Sequence, residues 1–596
     1  MSDQIPIKKV TFGRVFWPSL VAAITVSLIG ALIWALVIGS LFSTEPFEVN
    51  EKTVLHMTLD GDIGEVSQTS LNTTTFSIDT QLGVANILFA LNAAKTDPKI
   101  EGIFLEMNSI NCGIAIAREI RNAINDFEKS GKFVVAYNSG EVITTKEFYI
   151  ASAANESYGF PTSNMEFLGL GAEMMYFKGM LDKLEIEMQV IRGSNNDFKS
   201  AVEPFFRTDM SDSARHQTET LLTGIWQDMR TDIAKDRGLT AKYLDDLAEN
   251  ASIITVKDAV KHKLVDAAKY RDEVLSIIAK KVKVNANKDI ELLAFSKYAK
   301  ERFLDDQVIM VENEPNIAVI LTEGGVSTKG DGLSSEKVCK MIRDARDNPS
   351  IKTIVLRVNS PGGSALASDE IWREVKLTNK KKKVIVSMSD VAASGGYFIA
   401  APGATIFAQP TTITGSIGVF GVIPFTGNML ENKLGLSFDR VGTNKHSVMT
   451  TNRKLNEDEI ILIQGQVDDI YDQFKSIVAE GRGMTKEQVG IIARGRVWTG
   501  RDAMAVGLID KMGGLSDAIK YAAKESGISK KKVLYYPLVK EDKLAALLEL
   551  VDNSSEQASI KSTEMPKEFL RYYEKLKVLE SYTGIQMRMP LEVTFN

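Results

Sequence analysis

Cysteine and histidine are the scarce residues of this 596-residue chain, with two of the first and four of the second. Cys112 and Cys339 cannot furnish a disulfide framework, and neither belongs to a zinc-type spacing. His56, His216, His262 and His446 form no HExxH pattern, and His446 alone falls where the rest of the chemistry is concentrated. A bound metal or a Ser-His-Asp triad therefore has little to build on, and no cofactor is expected. An excess of one charge is missing too. The 71 Lys and Arg against 77 Asp and Glu leave a net charge of −6, without the basic face that nucleic acid requires. The run Lys380–Lys383 reads as a solvated turn before a strand. With 44% hydrophobic and 25% charged residues, the chain is ordinary globular material, long enough for several cores.

What the chain has is a duplication. Asn108-Ser109 matches Asn359-Ser360, and Lys132-Phe133-Val134-Val135 matches Lys383-Val384-Ile385-Val386, both at a separation of 251. After a two-residue adjustment, Phe148-Tyr149-Ile150-Ala151 matches Tyr397-Phe398-Ile399-Ala400. Further on, Arg237-Gly238-Leu239-Thr240 matches Arg482-Gly483-Met484-Thr485, and the order of matches never reverses. This is the mark of two homologous domains, not of a short-period solenoid. In the second copy, apolar runs at Ile317–Thr322, Thr353–Val358, Val384–Met388 and Thr405–Ala408 alternate with helical stretches at Ser335–Asp347, Ser368–Thr378, Gly395–Ala401 and Asn456–Glu480. That alternation predicts α/β domains with parallel pairing. The expected boundaries are 52–280 and 316–540, with a charged linker at 281–315 and a tail at 541–596 in which no motif is legible.

The N-terminus predicts a membrane anchor. No charge interrupts Val15 to Thr44, and Leu20–Phe42 is long enough to cross a hydrocarbon core of about 30 Å as a helix. Lys8, Lys9 and Arg14 precede the run, and Glu45, Glu48 and Glu51 follow it. The positive-inside rule then leaves residues 1–14 cytoplasmic, a transmembrane signal anchor at 15–44, and the bulk of the chain on the far side. A cleaved signal peptide would have a shorter apolar core, and Ile38-Gly39-Ser40 is a weak exit site.

The candidate chemistry is split between the copies. Ser394 follows a strand and heads a helix, in Ala393-Ser394-Gly395-Gly396-Tyr397, which exposes a hydroxyl at a sheet edge. Gly395 leaves a backbone N–H free as one oxyanion donor, and Gly363 of Asn359-Ser360-Pro361-Gly362-Gly363 is the candidate for the second. A serine hydroxyl needs a base, and without a suitable histidine a desolvated lysine can serve. Lys199 sits among Phe198, Ala201, Val202, Pro204 and Phe205, although a lysine snorkelling from a surface loop would look the same. At the repeat separation Thr145-Lys146-Glu147 replaces Ser394-Gly395-Gly396, Asn111-Cys112 replaces Gly362-Gly363, and Val448 replaces Lys199. Each copy alone is incomplete, which points to one shared site.

These motifs, with Thr414-Gly415-Ser416-Ile417-Gly418-Val419 and Gly495-Arg496-Val497-Trp498-Thr499-Gly500, resemble the signal peptide peptidase A family, peptidase family S49, in its long tandem-domain bacterial form. The resemblance runs from the anchor to about residue 535. It implies two Clp-protease/crotonase-like α/β domains behind one N-terminal transmembrane helix, with Ser394 as nucleophile and Lys199 as general base. It further implies Ser416 as the residue that orients the lysine, a homotetrameric ring, and a serine endopeptidase that degrades cleaved signal peptides at the bacterial inner membrane. Ile417, Val419 and Phe420 are expected as the apolar wall of the substrate pocket. Two other readings stay open on the residues: a crotonase-type acyl-CoA enzyme, which would share the glycine turns but leave Ser394, Lys199 and the anchor unexplained, and a catalytically silent membrane scaffold of the same fold.

Overall fold

The computed structural model describes Trp17 and residues 20–30, 47–72, 77–312, 314–330, 332–538 and 584–589. The expected cytoplasmic segment and most of the expected anchor lie outside these; of the apolar run, Trp17 and residues 20–30 are helical. Among the described residues no helix is long and apolar enough to cross a membrane.

Each half of the chain builds a sheet around six parallel strands in the same order, to which the second half adds Ile413–Gly415 and, antiparallel to it, Val497–Thr499. In the first half the order runs Ala267–Ala268, Glu156–Gly159, Phe133–Asn138, Ile100–Asn111, Thr53–Asp62, Leu292–Ala294. In the second, Lys511–Met512, Thr405–Ala408, Lys383–Ala393, Thr353–Ser360, Ile317–Glu323 and Val533–Tyr536 follow one another in the corresponding places. The central strands are buried on both faces, so they read as unbroken apolar runs rather than alternations. Helices Ser335–Asp347, Ala365–Asn379 and Gly395–Ala400 are the connections between successive parallel strands of the second sheet. The expected elements stand within one to three residues of their places, with one informative exception. The strand expected to stop at Met388 runs on to Ala393, directly against Ser394.

The segment 281–315, expected as a linker, carries an edge strand of the first sheet and the helix Phe295–Glu312. Its charges hid the apolar set Phe295, Tyr298, Ala299 and Phe303, which is buried in the first half's core.

The two halves share that core. Leu55, Met57 and Leu105 of the first belong to one apolar cluster with Val319, Val355 and Ile385 of the second. Buried charge crosses the same junction: Arg357 forms ion pairs with Glu65 at 2.9 Å and Glu119 at 2.7 Å, all three almost wholly excluded from solvent. The Asp390 carboxylate accepts from the backbone N–H groups of Gly113 (3.0 Å) and Ile116 (2.8 Å), so the second half caps the helix Ile114–Glu128 of the first. A further sheet is assembled from both halves and the tail, in the order Leu333–Ser334, Val326–Ser327, Gly362–Ser364, Gly584–Arg588, Phe420–Phe425, Glu187–Arg192.

Candidate active site

Ser394 is held in a backbone conformation that serine rarely adopts, with φ +55° and ψ −114°. Its N–H donates to the Gly415 carbonyl at 2.8 Å, and its own carbonyl accepts from Phe398 N–H at 2.8 Å. These bonds fix the turn from strand to helix and with it the direction of the hydroxyl. The two glycines that follow are needed for packing. A methyl on Gly396 would stand 2.6 Å from the Ser360 carbonyl oxygen, and one on Gly395 would stand 2.6 Å from Ser368 Oγ. The turn after Ser394 is thus pressed directly onto the turn after Ser360. Gly362 and Gly363 there have φ of +93° and +158°, and Ser360 Oγ accepts from Gly362 N–H at 3.2 Å. The backbone N of Gly395 lies 2.6 Å from where a Gly362 methyl would be. The turns that carry the two expected oxyanion glycines therefore meet in one tight space beside Ser394, through Gly362 and Gly395.

Lys199 reaches that space from the other half. It is fully buried, and its Nζ lies 2.7 Å from Ser394 Oγ, 2.9 Å from the Ser416 carbonyl oxygen and 2.9 Å from Ser416 Oγ. Burial without a countercharge drives the Lys199 amine well below its ordinary pKa. A neutral amine has two N–H donors and one lone pair. The Ser416 carbonyl can only accept, and the Ser416 hydroxyl accepts the second N–H, which leaves the lone pair for the Ser394 O–H. The arrangement is that of a base poised on a hydroxyl.

The second half builds the seat for the lysine. Phe198 N–H donates to the Arg494 carbonyl at 3.0 Å, and Lys199 N–H to that of Asn196 at 3.1 Å. Gly495 is pressed against the Lys199 backbone with φ +75°. Gln217 Nε2 donates to the Phe198 carbonyl (3.0 Å) and to Ser200 Oγ (2.9 Å). Its Oε1 accepts from Val497 N–H at 3.3 Å, tying the lysine loop to the Gly495–Gly500 motif. The Arg496 guanidinium covers the Phe198 ring at 5.4 Å and the Trp498 ring at 4.2 Å. Gln217, Asn196 and the seat at Gly495 were not legible as site residues; the Gly-Arg-Val-Trp-Thr-Gly motif was the signal available, without a partner to interpret it by.

Of the remaining expected residues, Ser416 lies against the lysine, with φ +49° and its N–H donating to the Arg496 carbonyl at 2.7 Å. Ile417 and Val419 are buried in one apolar cluster with Met587 of the tail. Phe420 is buried in a different cluster, with Ala201, Val202 and Phe205, and so backs the lysine loop. His446 is paired with Glu459 at 3.4 Å. In the first half, the counterpart of the glycine after Ser394 is Lys146, whose Nζ donates to the Cys112 carbonyl at 3.0 Å, so a side-chain hydrogen bond joins the segments whose counterparts meet through glycines in the second half. Among the described residues no group of three or more His, Cys, Asp or Glu could hold a metal ion.

The profile of "Peptidase family S49" matches residues 126–285 and 376–529, one stretch in each half, and that of "Clp protease" matches residues 323–413. The tandem domains thus have a Clp-protease-like fold. The chain is 32% identical to "Serine protease SPPA, chloroplastic" of Arabidopsis thaliana over 80% of its own length and 70% of that protein. It is 34% identical to "Protease 4" of Salmonella typhi, covering 76% of this chain and 73% of that one, and 33% identical to "Protease 4" of Haemophilus influenzae, covering 74% and 73%.

Proposed function

The chain belongs to peptidase family S49, with the serine proteases of the SppA and protease 4 type as its relatives, and from that premise we propose that it is a Ser/Lys-dyad endopeptidase acting on hydrophobic peptides. The observation that carries the reading is the 2.7 Å contact of Lys199 Nζ with Ser394 Oγ in a site closed to solvent. Neutral Lys199 takes the Ser394 proton as Oγ attacks a peptide carbonyl. The Gly363 and Gly395 N–H groups receive the oxyanion. The lysine then protonates the leaving amine, and a water that gives its proton to the same lysine hydrolyses the acyl-enzyme. Ser416 holds the amine in line throughout.

The buried side chains of Ile417 and Val419 favour apolar residues on the acyl side of the cut bond, a preference suited to the cores of cleaved signal peptides. We place the protein on the bacterial inner membrane, held by an anchor at 15–44 with its N-terminus cytoplasmic and its catalytic bulk outside, and we expect a homotetramer. The charge asymmetry around the apolar run supports the topology. The deciding experiment is hydrolysis of a fluorogenic hydrophobic peptide by the detergent-purified protein beside Ser394→Ala and Lys199→Ala. Loss in both variants is the expected result, and hydrolysis that survives without Ser394 rules the dyad out.

A further inference from the structure

The strand that leads into Ser394 is kinked, and the other half of the chain holds the kink. Along Lys383–Ala393 the pairing with Thr353–Ser360 runs one to one as far as Val358 opposite Met388, and resumes with Ser360 opposite Ala392. Two steps on one strand thus face four on the other, a bulge at Ser389–Val391 just ahead of Ser394. In the first half the corresponding strand simply stops at Asn138, and Val142–Ile143 pairs in a separate two-stranded sheet. Bulges beside active sites re-aim the side chains that follow them.

Each residue of this bulge is tied down through a side chain. Val391 N–H donates to Asn359 Oδ1 at 3.2 Å, and the Ser389 carbonyl accepts from Thr412 Oγ1 at 2.7 Å. Ser389 Oγ accepts from Arg357 Nη2 at 2.8 Å and donates to Glu65 of the first half. Asp390 reaches farthest, with both carboxylate oxygens accepting from N–H groups at the head of the helix Ile114–Glu128, those of Gly113 and Ile116. That helix cannot cap itself, because Gly113 stands where the second half has Ser364, whose Oγ accepts from Ala367 N–H. The contact is tight: a methyl on Gly113 would stand 2.2 Å from Asp390 Cγ. Only Ala392 and Ala393 separate the bulge from Ser394, both are fully buried, and the Ala392 carbonyl accepts from Thr414 Oγ1 at 2.7 Å. A shift at Asp390 therefore has little slack in which to be absorbed.

We propose that Asp390 is a positioning residue of the reaction: gripped by the first half, it sets the bulge and through it the place of the Ser394 hydroxyl between Lys199 and the oxyanion turn. The inference rests on the serine-peptidase reading above. The first half then contributes twice, with Lys199 as the base and with the helix head at Gly113 and Ile116 as the anchor of the strand that carries the hydroxyl. Asp390 acts through the backbone, so peptide binding is spared and the chemical step is slowed when its grip is lost.

Hydrolysis of a fluorogenic hydrophobic peptide by the detergent-purified full chain, with reactive serine counted by a fluorophosphonate, tests the assignment. Asp390→Ala removes the grip. Gly113→Ala leaves Asp390 in place but pushes its carboxylate off the helix, and the φ of −77° at Gly113 suits alanine. Each variant should lower kcat per counted serine about tenfold, with KM within about twofold of the parent. Combined in one chain they should do no more than the stronger of the two alone, since both break one contact. Asp390→Asn, which keeps an acceptor oxygen for the helix, should recover most of the loss. An unchanged kcat per counted serine in Asp390→Ala and Gly113→Ala overturns the positioning role, since any missing activity is then missing fold. Losses that multiply in the double variant also overturn it, because the two residues then act by separate routes. A parent chain that hydrolyses nothing overturns the peptidase reading and this inference with it.

Discussion

Gly495 and Lys199 approach so closely that no side chain fits between them: a methyl on Gly495 would stand 2.5 Å from Lys199 Cβ and 2.7 Å from its Cα. The two residues come from opposite halves, and Gly495 also has φ +75°, which an L-residue adopts with strain. Gly495→Ala should therefore displace the lysine by several tenths of an ångström and cost about 1–3 kcal/mol of stability. Peptide hydrolysis should fall by about 100-fold, since a small misplacement of a reacting group is enough for that. Kinetics with thermal unfolding on one preparation would check it; full activity would mean that the seat of the lysine is looser than the geometry indicates.

The pH dependence follows from a lysine driven well below its ordinary value. In the proposed dyad the neutral amine is the base, so kcat/KM should fall about tenfold per pH unit below the depressed pKa and level off above it. Lys199→Arg should be inactive across the range, because a guanidinium stays charged.

Stability should move in a linked way. Between the depressed value and about 10.4, the unfolded chain carries a proton on Lys199 that the folded chain does not, so unfolding free energy rises with pH there by up to about 1.4 kcal/mol per unit. A Lys199→Met chain lacks this dependence. Its stability relative to the parent should be greatest at low pH within that window and shrink as pH rises, which paired denaturation curves would reveal; a constant difference would show the buried lysine to be charged.

Ser416 supplies two of the three oxygens around the amine. Ser416→Gly removes the hydroxyl acceptor while relieving the strain of φ +49°. It should lower kcat about tenfold with little change in KM, the worth of roughly one hydrogen bond. Equal losses in kcat and stability would instead mark Ser416 as a purely structural turn.

Arg357 tests the junction of the halves. Arg357→Met strands the Glu65 and Glu119 carboxylates in a buried site, and breaking such a pair costs about 3–5 kcal/mol. Neutralising both acids in the same chain, with Glu65→Gln and Glu119→Gln, should recover part of that. A denaturant midpoint unmoved by Arg357→Met would mean that the apolar core alone holds the halves together.

Much of this architecture was legible because the duplicated segments carry unbroken apolar strands, and Ser335–Asp347 and Thr405–Ala408 stand where the pattern puts them. The pairing of Lys199 with Ser394 was suggested by what each copy lacks. Other features were illegible for physical reasons. The helix Phe295–Glu312 shows charge every few residues while burying one narrow face. The seat at Gly495 depends on a contact between residues far apart in sequence. The tail strand did carry a signal, Ile585, Met587 and Met589 alternating with Gln586 and Arg588, but five residues of alternation have no meaning until a sheet with room for them is known.

In the proposed dyad, the base and the hydroxyl are separated by 195 residues of chain. During synthesis the lysine emerges while the half bearing the serine, with the seat it builds for the lysine, is still unmade. A ribosome-bound chain thus holds one reagent without the other, and the newborn protein is harmless to its neighbours until the second half closes onto the first. The duplication supplies a safety interlock that a single domain, carrying both groups on one short segment, would lack.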